Sequence, residues 1–191
     1  MYERITEHLR QHVQLAPREL DVFLATFAVA TYGKNAHLLQ AGQICQYTCF
    51  VNRGLLRLYD IDEKGLEKNA LFAPEGWWVS DLYSFHRRRP GNLFLQALEE
   101  TEVLQLTKPA LEAVLLEVPR LERYWRILHI NAFVAQQERV VYMMDKPAEE
   151  RYREFIRKYP DAELRIAQKH IASYLGIAPE SLSRMKARLK T

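Results

Sequence analysis

Glu180, Ser181, Ser183, Arg184 and Arg188 put hydrogen-bonding groups within one short segment, and their chemistry is that of recognition. On a helix lying in a DNA major groove, a carboxylate such as Glu180 accepts from cytosine N4. A guanidinium such as Arg184 donates to O6 and N7 of guanine. Lys169, Lys186, Arg188 and Lys190 surround them and suit phosphate oxygens, which position a protein without reading sequence. Charge is distributed to match. From Lys146 to Thr191 there are 11 Lys and Arg against 6 Asp and Glu, whereas Met1 to Asp145 has 16 against 18. A basic end on a near-neutral body predicts a polyanionic partner for that end.

Other chemistries find less to work with. Cys45 and Cys49 fall short of a four-thiolate iron–sulfur site and sit in an apolar stretch, where small buried thiols are expected. His8 and His12 share one helical face but lack a third metal ligand. Only His37 and His86 lie in the strand-rich region, too few for a cupin-like metal enzyme. No nucleophile elbow or phosphate-binding Gly loop occurs. The sequence therefore predicts a protein that is not an enzyme and needs no metal.

The elements that must position Glu180 and Arg184 follow from the segment Gln168 to Ala187. Two helices crossing steeply need a small residue at the contact, here Ala172, and a residue tolerant of positive φ at the turn, here Gly176. Ile171, Leu175, Ile177, Leu182 and Met185 supply the apolar contacts, and Pro179 suits a helix first turn. These positions together predict a helix-turn-helix with Glu180, Ser181, Ser183, Arg184 and Arg188 facing outward.

Upstream, Tyr2 to Phe27 reads as helical. From Ala36 to Leu106, short apolar runs (His37–Leu39, Cys49–Asn52, Gly54–Tyr59, Leu93–Leu98, Val103–Leu106) alternate with turn-forming groups such as Asp60 to Gly65 and Pro90-Gly91. That pattern predicts an antiparallel barrel or double-sheet roll. Pro109 opens a helical region, and Leu121 to Met144 runs without Gly or Pro. Leu121, Trp125, Leu128, Ala132, Ala135, Arg139 and Tyr142 form a heptad seam there, read as pairing with a second copy, with packing on the chain's own roll as the alternative. A second stripe, Ile127, Ile130, Val134 and Val141, lies beside it. Lys146 marks the boundary to the last unit. The start of the chain is polar and no apolar run is long enough to span a bilayer, so a cytoplasmic location is expected.

With the motif placed last, after a strand-rich roll and a long helix, the chain resembles the Crp/Fnr (cyclic-AMP receptor protein and fumarate–nitrate regulator) family. Leu39-Gln40-Ala41-Gly42, Phe50-Val51-Asn52-Arg53-Gly54, Asp62-Glu63-Lys64-Gly65 and Glu99 to Thr107 carry the resemblance over nearly the whole chain. It implies an α+β fold with three parts: an N-terminal antiparallel β-roll of the cyclic-nucleotide-binding type with flanking helices over 1–120, a dimerisation helix over 121–145, and a helix-turn-helix domain over 146–191. It implies a homodimer that binds double-stranded DNA, regulates transcription and engages RNA polymerase. The family's two base readers fall on Glu180 and Arg184, a supporting DNA contact on Ser181, and a phosphate contact near Lys169.

The cyclic-AMP cassette of that family does not carry over. Ser80-Asp81 stands where the cassette has Gly-Glu, and Gly91-Asn92-Leu93 stands where it has Arg-Ser-Ala, so the phosphate-binding Arg is gone. Losing a charge-assisted contact inside a pocket is a large penalty. Gln136 and Gln137 occupy the long-helix positions that contact the purine. The expectation is a small-molecule effector other than cyclic AMP, or none, with Ser80, Asp81, Asn92, Gln136 and Gln137 as the pocket. Residues 151–168 are short for the family's usual strand hairpin. The competing reading is a ligand-binding roll that acts through protein contacts and carries a vestigial helix-turn-helix.

Overall fold

Turn-forming residues cut the middle of the chain into strands short enough to fold back on one another. The computed structural model describes residues 1–189. Helices α1 (Glu3–Arg10) and α2 (Pro17–Leu24) precede strands β1 (Ala28–Tyr32), β2 (His37–Leu39), β3 (Tyr47–Arg53), β4 (Leu56–Ile61), β5 (Glu67–Ala73) and β6 (Trp78–Val79). Helix α3 (Leu82–Arg87) then leads to β7 (Phe94–Ala97) and β8 (Thr101–Thr107). The strands form two four-stranded sheets, ordered β1-β8-β3-β6 and β2-β7-β4-β5, with the paired strands antiparallel. This is the expected roll, and its core is the apolar layer between the sheets, with Phe50, Leu56, Leu95 and Leu104 fully buried.

One turn shows how tightly the roll is drawn. Gly54 has φ of 98°, and a Cβ there would lie 2.5 Å from Thr101 Oγ1 and 2.6 Å from the Glu100 carbonyl oxygen, so both the conformation and the space require glycine. Strands β1, β5 and β6 fall outside the apolar runs that mark the others. The polar start of β5, Glu67-Lys68-Asn69, is explained below by what packs on it.

Pro109 sits in the first turn of α4 (Lys108–Glu117), which Thr107 caps by accepting from the Ala110 N–H. The long helix α5 (Arg120–Asp145) follows, then α6 (Ala148–Lys158), α7 (Ala162–Arg165), α8 (Gln168–Leu175) and α9 (Pro179–Leu189). Among the described residues no strand lies between Arg151 and Gln168. Nor is any helix among them long and apolar enough to cross a membrane.

The structure corrects the reading of α5. Most of the heptad seam is turned inward: Leu121 and Trp125 are buried against the roll, Leu128 packs on the same core, and Arg139 hydrogen-bonds within the chain, while Ala132 stays exposed. The roll captures this face because Trp78 of β6 offers it an aromatic surface. The ring centroids of Trp78 and Trp125 are 4.7 Å apart. The second stripe, beyond the half-buried Ile127, is the exposed one. Ile130, Phe133, Val134, Val140, Val141 and Met144 stand in solvent along the C-terminal half of the helix.

Candidate nucleic-acid interface

Helices α8 and α9 form the helix-turn-helix, and their contact is built as the residue types require. Ile171, Ala172, Leu175, Leu182 and Met185 are buried together, and Ile177 is half-buried beside them. Gly176 ends α8 with φ of 67°, the left-handed cap that closes the turn. With Leu182 and Met185 inward, helical periodicity leaves Glu180, Ser183, Arg184 and Arg188 exposed on α9, and Ser181 half-buried.

The outward groups differ in how far they are committed. Arg184 Nη2 donates to Ser181 Oγ at 3.1 Å, which steadies the guanidinium one turn from the start of α9. Ser183 Oγ donates to Gln168 Oε1 at 3.2 Å. Lys169 is exposed on α8. Lys186 is not a solvated cation, because its ammonium lies 2.7 Å from Glu163 Oε1 and its side chain is largely covered. Lys190 lies outside the described residues.

Sequence reasoning missed the residues that hold α8 against the roll. Helix α8 lies on β5, and Phe72 of that strand is buried among Phe155, Tyr159 and Tyr174. The polar start of β5 meets α8 directly. Ser173 Oγ donates to the Glu67 carbonyl at 2.5 Å and accepts from the Asn69 N–H at 3.0 Å. Arg139 of α5 closes this corner, donating to the carbonyls of Asn69 (3.1 Å) and Tyr174 (3.0 Å). Its guanidinium lies 3.8 Å over the Tyr174 ring. Arg165 makes a bidentate pair with Glu75, both contacts at 2.9 Å, and a further contact to Glu99.

At the centre of this joint Arg57 is buried. It grips Glu67 through Nη1 (2.5 Å) and Nη2 (3.1 Å), and its Nε donates to Gln96 Oε1 at 2.8 Å. Nη1 also donates to His170 Nδ1 at 2.9 Å. A guanidinium cannot accept, so that nitrogen of His170 carries no proton. Burial and the adjacent Arg57 charge lower the His170 pKa to about 4. Glu67 stands 3.6 Å from the same nitrogen, beyond a hydrogen bond, and is itself held ionised by Arg57. A signal for this joint was present in Arg57, a charged residue inside the apolar run Leu55 to Tyr59.

The proposed effector residues separate into two groups. Ser80, Asp81 and Gln136 line one cleft between the roll and α5. Asn92 and Gln137 are exposed and do not line it. Asp81 Oδ1 accepts from the Ser84 N–H at 3.0 Å as the cap of α3. Cys45 and Cys49 are free and buried, and burial pushes the Cys49 thiol up to about 12. Among the described residues no three His, Cys, Asp or Glu side chains are placed to hold a metal ion.

Comparison with known proteins gives the same frame. The chain is 27% identical over 168 residues to the anaerobic regulatory protein of Pasteurella multocida, matching 82% of this chain and 61% of that protein. It is 27% identical over 172 residues to the fumarate and nitrate reduction regulatory protein of Vibrio cholerae, matching 82% of this chain and 66% of that one. It superposes on FixK2 from Bradyrhizobium japonicum with a TM-score of 0.74 at 18% identity, covering 86% of this chain and 84% of FixK2. The chain is similar to regulators of the Crp/Fnr family. It spans less than two thirds of the length of the curated Crp/Fnr relatives it matches. No family model matches it. In the structure the roll, the long helix and the terminal helix-turn-helix follow one another in the order expected from sequence.

Proposed function

We propose that this Crp/Fnr-like chain is a sequence-specific, DNA-binding transcription regulator acting as a homodimer in the cytoplasm, where it engages RNA polymerase. One observation carries the reading. Helix α9 locks Leu182 and Met185 against α8 and turns Glu180, Ser183 and Arg184 to solvent. That is the geometry of a helix entering a major groove with its N-terminal side chains at the base edges. Glu180 accepts from cytosine, Arg184 grips guanine, Ser181 supports Arg184, and Lys169 and Arg188 contact phosphates. Lys186 serves α9 mainly through Glu163.

The dimer forms through the exposed stripe of α5. Ile127, Ile130, Val134, Gln137, Val141 and Met144 recur at alternating spacings of three and four, the seam of a two-stranded coiled coil. A monomer gains nothing by leaving these residues in water, and a second copy covers them symmetrically. The alternative, a roll working through protein contacts with a vestigial motif, leaves the outward polar face of α9 unexplained.

Fluorescence anisotropy with a pool of random-sequence duplexes tests the reading. Binding is expected at low salt, with two chains per duplex and an affinity falling linearly in log–log against salt concentration. Absence of binding at low salt contradicts it.

A further inference from the structure

His86 of α3 and His129 of α5 bring their Nε2 atoms to 3.3 Å from each other. They lie 43 positions apart in sequence, so the fold rather than a local motif pairs them. His129 Nδ1 donates to the Trp125 carbonyl at 2.8 Å, one turn back on the same helix. That bond fixes the proton of the uncharged ring on Nδ1 and leaves a lone pair on Nε2. Partial burial, His129 and Lys108 hold the His86 pKa below its ordinary value, so its ring is uncharged at neutral pH. Both side chains are anchored. The His86 ring stands edge-on to Phe85 and the His129 ring edge-on to Trp125, and Lys108 Nζ donates to the His86 carbonyl at 2.9 Å.

The spacing of the two nitrogens is long for a hydrogen bond, where donor and acceptor stand about 2.7–3.2 Å apart. It is the right length for one edge of a metal's coordination sphere. Two imidazole nitrogens bound to a tetrahedral zinc ion at about 2.0–2.1 Å lie about 3.3–3.4 Å from each other. The pair lines a hollow of about 620 Å³ between α4 and α5, in which Glu112 and Glu122 balance the charges of Lys108 and Arg126. Both imidazoles are exposed, so an ion reaches them from solvent.

We propose that His86 and His129 clip a divalent transition-metal ion such as zinc between α3 and α5. The two nitrogens supply half of a four-coordinate shell and water fills the rest. Imidazole suits zinc, nickel and copper, whereas magnesium and calcium call for oxygen ligands. The Trp125 carbonyl is the outer acceptor that orients His129 toward the ion. None of the hollow's walls comes from α8 or α9. The ion is therefore an added brace between the roll and the long helix, and it stabilises the chain by binding only the folded state.

Calorimetric titration of the untagged full chain with zinc chloride tests the proposal, with magnesium chloride for comparison and thermal melting as a second readout. One zinc ion per chain is expected, together with a rise in melting temperature, and magnesium is expected to be silent. His86→Ala and His129→Ala, each checked for intact fold by circular dichroism, are expected to weaken zinc at least ~10-fold and to lose the zinc-dependent rise in melting temperature. His12→Ala, which breaks the other adjacent histidine pair, is expected to bind zinc as the wild type does. Absence of zinc binding, equal binding of magnesium, zinc binding that survives the loss of His86 or His129, or its loss in His12→Ala overturns the proposal.

Discussion

Arg184 and Lys169 illustrate how two cations on one motif do different work. Arg184 is steadied by Ser181 on the outward face of α9, so Arg184→Ala is expected to cost roughly 1–3 kcal/mol at a cognate G·C pair, with little loss on non-cognate DNA. Lys169 is exposed on α8, and Lys169→Ala should weaken binding to every sequence and lower the salt slope by about one. Anisotropy against cognate and scrambled duplexes over a salt series separates the two. His170 makes a pH prediction. Its folded pKa is about 4 against an ordinary 6.5, so between those values the unfolded chain binds more protons than the folded one. Stability therefore rises with pH across this window and is lost as pH falls through it. His8 and His86 are shifted the same way, so the diagnostic quantity is the flattening of the melting temperature against pH in His170→Gln relative to wild type. Arg57, Glu67 and Lys169 are the charged groups that set the His170 shift.

At the scale of elements, α5 and β5 each serve two neighbours. The buried seam of α5 rests on the roll, so its exposed stripe is left for a partner, and Val134→Glu with Val141→Glu should yield a monomer by sedimentation velocity. If the double variant stays dimeric, the stripe is not the interface. Strand β5 holds α8 through Phe72, which is fully buried among three aromatic rings, and Phe72→Ala should cost about 3–5 kcal/mol in chemical denaturation. These two elements also mark what sequence could deliver. The helix-turn-helix was legible because Ala172, Gly176 and the apolar positions are dictated by contacts within twenty residues. The outward face of α9 followed from the same periodicity. The choice between the two stripes of α5 was not legible, because both are apolar and only the aromatic surface of the roll, built far earlier in the chain by Trp78, selects Trp125 and Leu128. Strand β5 was hidden for a related reason. Glu67 and Asn69 read as solvent-facing until α8, a hundred residues later, supplies their partners in His170 and Ser173.

For the whole molecule, these joints make the roll and the helix-turn-helix unit one assembly. Arg57, Arg165 and Arg139 join them through buried or half-buried hydrogen bonds, and Phe72 gives both a common apolar core. The orientation of α9 is therefore inherited from β5 and α5, the elements that also wall the cleft. Of the five effector residues expected from sequence, Ser80, Asp81 and Gln136 reach that cleft, and Asn92 and Gln137 do not, because the position along an aligned segment does not fix which way an exposed side chain turns.

The central claim, that α9 reads DNA as one of a symmetric pair, is tested most directly by selecting bound duplexes from a random pool with wild-type protein and with Arg184→Ala in parallel. The wild type is predicted to enrich an inverted repeat with half-sites about one helical turn apart, each holding a required G·C pair, and Arg184→Ala is predicted to keep the repeat while relaxing that pair in both halves. Enrichment of the same motif, unrelaxed at every position, by both proteins would contradict the claim.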